Sequence, residues 1–210
     1  MRIKKIMENI LHTIGHSTHP LDRFVELLNL HEIRAVCDVR SSPYSRYSPQ
    51  FNRETIQAEL RKHGIAYVYL GKELGPRSDD PGCYENGKVQ YDRLAKTDLF
   101  QEGITRVKEG MKTFRITLMC AEKDPIMCHR TILVCRPLAG AGISIGHILD
   151  DGAVETHESA MNRLRNALKL PESDMFRSSE QMIQEAYNLQ GQKIAHVKEE
   201  KTGKEEDRDL

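Results

Sequence analysis

One eleven-residue run concentrates the reactive side chains of this protein: Cys120-Ala-Glu-Lys-Asp-Pro-Ile-Met-Cys128-His129-Arg130. Two thiols, a glutamate carboxylate, an imidazole and a guanidinium fall between an apolar strand pattern over 114–119 and an apolar helix pattern that opens at Thr131. Cys120 and Glu122 are two residues apart, so on a continuing strand they share a face. A carboxylate beside a thiol can act as a general base or as a nucleophile. Asp124 and Pro125 have the form of an N-cap and a first helical residue. That spacing puts Cys128, His129 and Arg130 in or just after the first turn. There the helix dipole favours a thiolate at Cys128, and Arg130 beside free N–H groups suits a phosphate or carboxylate. The same residues also fit plainer roles, with Cys128 as a small core residue and Glu122 and Arg130 as salt-bridge partners.

Cys120, Cys128 and His129, with His16 from a distant segment, form a soft-ligand set of the kind zinc takes. Two features count against a metal. The C-x7-C-H spacing is not a usual zinc frame, and adjacent residues on a helix project about 100° apart. The spacing therefore predicts no metal ligand set, and no cofactor is assigned.

The elements that must position these groups follow from the apolar periods. Strand-like runs lie at 10–15, 33–39, 65–70, 114–119 and 143–149. Helical patterns lie between them, at 20–31 with Phe24, Leu27, Leu28 and Leu30 as the buried stripe, at 52–63 with Gly64 as the stop, and at 91–111. The alternation predicts an α/β fold: a mostly parallel central sheet of about five strands with helices on both faces. Helices over 158–168 and 179–189 add to it at the C-terminus. The expected division is an α/β core domain over 10–152, a helical extension packed on the core over 153–190, and a charged, disordered tail over 191–210. The segment over 71–90 is long for a connection, at about twenty residues, and is expected to be a lid or binding loop.

In an open parallel sheet, ligands bind beyond the carboxyl ends of the strands. This chain ends its strands in Gly15-His16-Ser17, in Asp38-Val-Arg40-Ser41, in Leu70-Gly71-Lys72 and in Cys120-Ala-Glu122. Four separate segments thus bring polar groups or glycine to one rim. His16 is a candidate acid or base. The loop over 38–51, with Arg40, Ser41, Ser45 and three aromatics, could hold a phosphate and stack a flat ring, or could be a solvated loop pinned by its aromatics. Cys37, Cys135 and His147 fall inside element patterns and are expected in the core, whereas Cys83 is expected to be the exposed thiol.

Several of these stretches together resemble a known family. Thr13-Ile-Gly-His-Ser17, Asp38-Val-Arg-Ser-Ser-Pro43 with Ser45 and Phe51, Tyr69-Leu-Gly71 with Leu74-Gly75, and Leu118-Met-Cys-Ala-Glu122 with Cys128-His-Arg130 are similar to the bacterial and archaeal domain-of-unknown-function family 488. The resemblance spans about residues 12–150. It implies a cytoplasmic α/β domain whose signature residues lie on the rim, and it implies no reaction. Pro76 departs from the second glycine the family commonly has there.

Composition narrows the partners. Across 210 residues, 31 basic and 31 acidic side chains give a formal charge of zero, which leaves no general attraction to nucleic acid or anionic membranes. No apolar run nears the roughly 18–20 residues of a membrane span. The odd count of 5 cysteines suits reduced thiols in a cytoplasmic protein. The expectation is an enzyme with an anion-binding site for a small phosphate-bearing or nucleotide-like ligand. Catalytic candidates are Cys120, Glu122, His16, Cys128 and His129. Ser17, Asp38, Arg40, Ser41, Ser45 and Arg130 are the substrate-binding candidates. The alternatives are a non-catalytic module that binds nucleic acid or a small anion, and a metal or thiol-redox protein using Cys120 and Cys128.

Overall fold

A computed structural model describes residues 10–198. Its centre is a six-stranded sheet built from β1 (Leu11–Gly15), β2 (Ala35–Asp38), β3 (Ala66–Tyr69), β6 (Ile116–Cys120), β7 (Ile145–Ile148) and β8 (Val154–Thr156), in the order β3-β2-β6-β1-β7-β8. Neighbouring strands run parallel except β8, which pairs antiparallel with β7. β4 (Tyr84–Glu85) and β5 (Lys88–Val89) form a separate small hairpin. The sheet is thus one strand larger than the pattern predicts. β8 is three residues long with two of them exposed, so it carries no apolar run.

Side-chain alternation sorts the helices onto two faces. On one face Ile14, Val36, Met119 and Ile148 pack against α1 (Leu21–Leu30) and α2 (Arg53–Lys62) through Phe24, Leu27, Leu28, Ile56 and Leu60. On the other, Leu11, Cys37, Leu118 and Cys120 pack against α5 (Asp98–Met111) and a π-helical stretch, Arg130–Cys135, that runs into α6 (Arg136–Gly140). Chains leaving β1 and β2 go to the first face and those leaving β3 and β6 go to the second. A cleft therefore opens between them at the carboxyl rim, the usual ligand position of such sheets.

Several boundaries differ from the periodic pattern. Leu30 is 63 % exposed rather than part of the buried stripe, because it falls on the last turn facing solvent. The helix over 91–111 is two, α4 (Tyr91–Leu94) and α5, since the Thr97 hydroxyl caps a new start by accepting the Phe100 N–H at 3.3 Å. The long segment after β3 is structured, with α3 (Gly71–Leu74) and the β4–β5 hairpin. Cys83, expected to be exposed, is 1 % exposed and sits in the core. Asp124 and Pro125 begin only a short 3₁₀ turn, Pro125–Met127, and Cys128 then returns to extended backbone at φ −128° and ψ 140°.

The C-terminal helices α7 (His157–Ala167) and α8 (Ser179–Ile194) cover Ile126 and Ile132 through Ala160, Leu164, Ala186 and Tyr187. The expected tail begins too early. Residues up to Ile194 are helical, and Val197 bridges to Lys88. Residues 199–210 lie outside the described residues. No helix among the described residues is long and apolar enough to cross a membrane.

Candidate functional site

The rim cleft has a volume of about 510 Å³. Its walls come from three strand ends: His16, Ser17 and Thr18 after β1; Arg40, Ser42, Tyr44, Ser45 and Ser48 after β2; and Ala121, Glu122 and Lys123 after β6. Glycine makes this convergence feasible. A Cβ on Gly15 would stand 1.9 Å from the Glu122 carbonyl oxygen, and one on Gly71 would stand 1.9 Å from the Arg40 carbonyl oxygen. Only a bare backbone at these strand ends lets the neighbouring loops fold over them.

Arg40 is held from three sides. Its Nε and one terminal nitrogen donate to Asp38 Oδ1 and Oδ2 at 2.9 and 2.6 Å, the same terminal nitrogen donates to the Phe51 carbonyl at 2.9 Å, and the other donates to His16 Nε2 at 3.1 Å. Asp38 is fully buried and also accepts the Tyr67 hydroxyl at 2.7 Å. A guanidinium has five N–H donors, so one remains for a ligand in the cleft that Arg40 lines. His16 donates from Nδ1 to the Ser17 carbonyl at 2.9 Å and stacks on Phe51 with ring centres 4.2 Å apart. Burial, and then the charge of Arg40, push its pKa down to about 4, so it stays neutral. Its one acceptor nitrogen is taken by Arg40. That corrects its expected part as an acid or base: His16 positions Arg40.

The other candidates divide in the same way. Ser17 lines the cleft in a left-handed conformation, φ 48°, and anchors it by donating its N–H to the Ala121 carbonyl at 2.9 Å. Ser45 also lines the cleft, and its hydroxyl accepts the N–H groups of Tyr47 and Ser48. Ser41 is not on the wall. Its hydroxyl accepts the Arg77 N–H at 3.2 Å and its carbonyl accepts the Tyr69 hydroxyl at 2.8 Å, so it ties down the segment after β3. Arg130 is also displaced from its expected role as an anion clamp. It is fully buried and donates to the carbonyls of Glu122 at 2.6 Å and Lys123 at 3.1 Å, which holds the loop after β6 in place. Nothing in the run itself distinguishes such an arginine from a ligand-binding one.

Beside the cleft, Cys120, Glu122, Cys128 and His129 place one donor atom each within 4.8 Å of one another. Glu122 Oε2 accepts both thiols, Cys120 at 3.0 Å and Cys128 at 2.9 Å. His129 Nδ1 lies 3.5 Å from the Cys120 sulfur, while Nε2 donates to the Val39 carbonyl at 2.9 Å. This convergence corrects the geometric objection to a shared ligand set. Cys128 precedes the helix in extended backbone, so it and His129 are not bound by helical projection. His16 is not part of the set. Burial pushes the Cys128 thiol well above its ordinary range, and the neighbouring Cys120 adds to this. The helix-start thiolate expected there is thus opposed by a side chain that is 1 % exposed. Loss of water on the side where it meets the buried thiols would by itself raise the carboxyl of the otherwise exposed Glu122, but the thiol hydrogen bonds and its own backbone N–H hold it below the usual range, so it is ionised.

The chain belongs to the family described as Domain of unknown function DUF488. The family's model matches residues 20–136. No curated protein and no solved structure matches the chain. The matched DUF488 span takes in the loop after β2, Gly71 and the whole run from Cys120 to Arg130. It begins after His16 and Ser17 and ends before His147 and the C-terminal helices. Sequence reasoning missed Ser42, Ser48 and Lys123 as cleft residues, although the first two stand in the serine-rich loop after β2. Tyr67, the second anchor of Asp38, carried no signal, being an ordinary aromatic in a strand.

Proposed function

We propose that this DUF488 protein is an enzyme whose rim cleft binds a small phosphate-bearing, nucleotide-like ligand, with Glu122 as the acid–base group on the same wall. The observation that carries this reading is Arg40: a buried, fully oriented guanidinium that keeps one donor for a ligand. A charged donor locked in place before binding loses little entropy when the ligand arrives, and the guanidinium fork matches phosphate oxygens. Lys123, on the same wall, is paired with Asp150 at 2.6 Å and would add a second positive charge on turning to a ligand, and the hydroxyls of Ser17, Ser42 and Ser48 add neutral donors. Tyr44, 54 % exposed at the lip, offers a ring face for a base.

Calorimetric titration with inorganic phosphate and with nucleoside monophosphates tests the reading. The nucleotides should bind more tightly than phosphate. Arg40→Lys, which keeps the charge but not the fork, should weaken both by about tenfold or more, in line with the loss of one charge-assisted bond. Lys123→Ala, on an exposed residue, should weaken both by less. Unchanged affinity in both variants would remove the anion reading. Affinity for long single strands that falls steeply with salt would replace it with a nucleic-acid partner.

A further inference from the structure

We propose that Cys120, Cys128 and His129 bind one zinc ion, with Glu122 standing at the fourth position on the side of the cleft. The donor geometry already suits such an ion. Zinc–sulfur bonds of about 2.3 Å and zinc–nitrogen bonds of about 2.0–2.1 Å at a tetrahedral angle set a sulfur–nitrogen edge of about 3.5 Å. The two sulfurs lie 3.5 and 3.9 Å from His129 Nδ1. Those three side chains therefore need little movement to share an ion.

Glu122 stands differently. Its oxygen is 3.0 and 2.9 Å from the sulfurs, roughly half an ångström inside the edge a fourth ligand would keep. It holds the thiol protons where the metal would replace them, and must withdraw slightly once the thiols are ionised. The three soft donors are buried while Glu122 is exposed. Structural zinc sites close all four positions with cysteine and histidine, whereas catalytic ones keep three protein ligands and an exchangeable fourth. The burial pattern here is of the second kind.

The surroundings support the same ion. The bond from His129 Nε2 to the Val39 carbonyl fixes the tautomer that presents the Nδ1 lone pair to the sulfurs, as ligating histidines are usually held. The Arg130 backbone N–H points at the Cys128 sulfur at 3.5 Å. Two thiolates and a carboxylate carry three negative charges, which a divalent ion and the buried Arg130 guanidinium would balance. Thiolate and imidazole together select zinc over magnesium or calcium. An oxygen of the phosphate-bearing ligand can exchange with Glu122 at the fourth position. Only that last assignment rests on the proposed function; the metal site stands without it.

The test is elemental analysis of the full chain purified under reducing conditions without chelator, followed by replacement of the metal with cobalt(II). The expected result is about one zinc per chain and a thiolate-to-cobalt charge-transfer absorption. Cys128→Ser and His129→Gln should each weaken cobalt binding by at least about tenfold. Cys83→Ser, a buried cysteine outside the set, should leave it unchanged. Glu122→Gln should keep the metal. A folded wild-type chain that carries no metal and takes up no cobalt overturns the proposal, as does cobalt binding indifferent to His129→Gln. So does isolation of the chain with a Cys120–Cys128 disulfide in place of metal. Phosphate added to the cobalt form should shift its visible bands. If metal binds and phosphate leaves the bands unmoved, the zinc site holds and the fourth-position assignment is overturned.

Discussion

Asp38 accepts four hydrogen bonds while fully buried: from the Arg40 backbone N–H, from Arg40 Nε and a terminal nitrogen, and from the Tyr67 hydroxyl. Removing it leaves a buried guanidinium without its counter-charge, and breaking such a pair from one side costs about 3–5 kcal/mol. Asp38→Ala should therefore lower stability to urea by that order, and a loss under about 1 kcal/mol would show that Arg40 finds other support. Gly15→Ala should act through sterics alone. Its Cβ meets the Glu122 carbonyl oxygen, so the loop after β6 must shift, at a cost of about 1–3 kcal/mol. The same shift should weaken phosphate binding, read by the same titration; full affinity would mean the loop can yield without moving Glu122. Which strand ends reach the rim was legible at this scale, because they can be read from apolar runs that stop at polar groups. Their roles were not. His16 and Arg130 differ from ligand-facing residues only in where their donors and acceptors end, and that depends on Arg40, Thr13 and the carbonyls of distant loops.

Element positions were legible wherever burial follows a clean period. β1, β2, β3 and β7 fall within the apolar runs, β6 extends one residue past its own to Cys120, and α1, α2 and α5 carry amphipathic stripes. Pairing order was not, since β6 inserts between β2 and β1 although about eighty residues separate it from β2 and about a hundred from β1. The turn before the π-helical stretch was also hidden. An N-cap followed by proline opens a long helix and a single 3₁₀ turn with the same residues, so Asp124 and Pro125 could not reveal that Cys128 would lie extended. That one backbone difference decides whether Cys128 and His129 can face a common point. α8 bears on it from outside, since Gln190 donates to the Ile126 carbonyl at 2.8 Å and so steadies this turn. A capping box at Ser178 and Gln181 starts α8. Ser178→Ala should cost about 1 kcal/mol and raise amide exchange in its first turns. Unaltered exchange there would mean that packing of Ala186 and Tyr187 over Ile126 and Ile132, rather than the cap, holds the helix.

Across the whole molecule, buried imidazoles couple the sheet to the C-terminal extension and set its response to acid. The Thr13 hydroxyl meets His147 Nδ1 at 2.8 Å, His147 Nε2 meets His157 Nδ1 at 3.0 Å, and His157 Nε2 meets the Tyr187 hydroxyl of α8 at 2.6 Å. His12, in β1 itself, stacks on His31 with ring centres 5.9 Å apart. Burial lowers the pKa of His12 to about 4, with the charges of His31 and Arg115 adding to it, and burial lowers that of His157 to about 4. Burial, and then His157, lower that of His147 to about 2. Each stays neutral in the folded chain at pH values where the unfolded chain is protonated. Between about pH 6.5 and pH 4 the unfolded state binds the more protons, so stability is greatest near neutrality and falls as the pH drops through that window. Each group contributes up to about 1.4 kcal/mol per pH unit. Thermal melts in chelator, which keeps metal binding out of the balance, should therefore show Tm falling steeply from pH 6.5 to pH 5. His157→Gln removes one titrating ring and keeps polar atoms for His147 and Tyr187. Its Tm should fall less steeply, by about one proton's share of the slope. A wild-type Tm flat over that range, or an identical slope in the variant, would mean that the chain opens locally to admit the proton and that the relay to α8 is not held closed by burial.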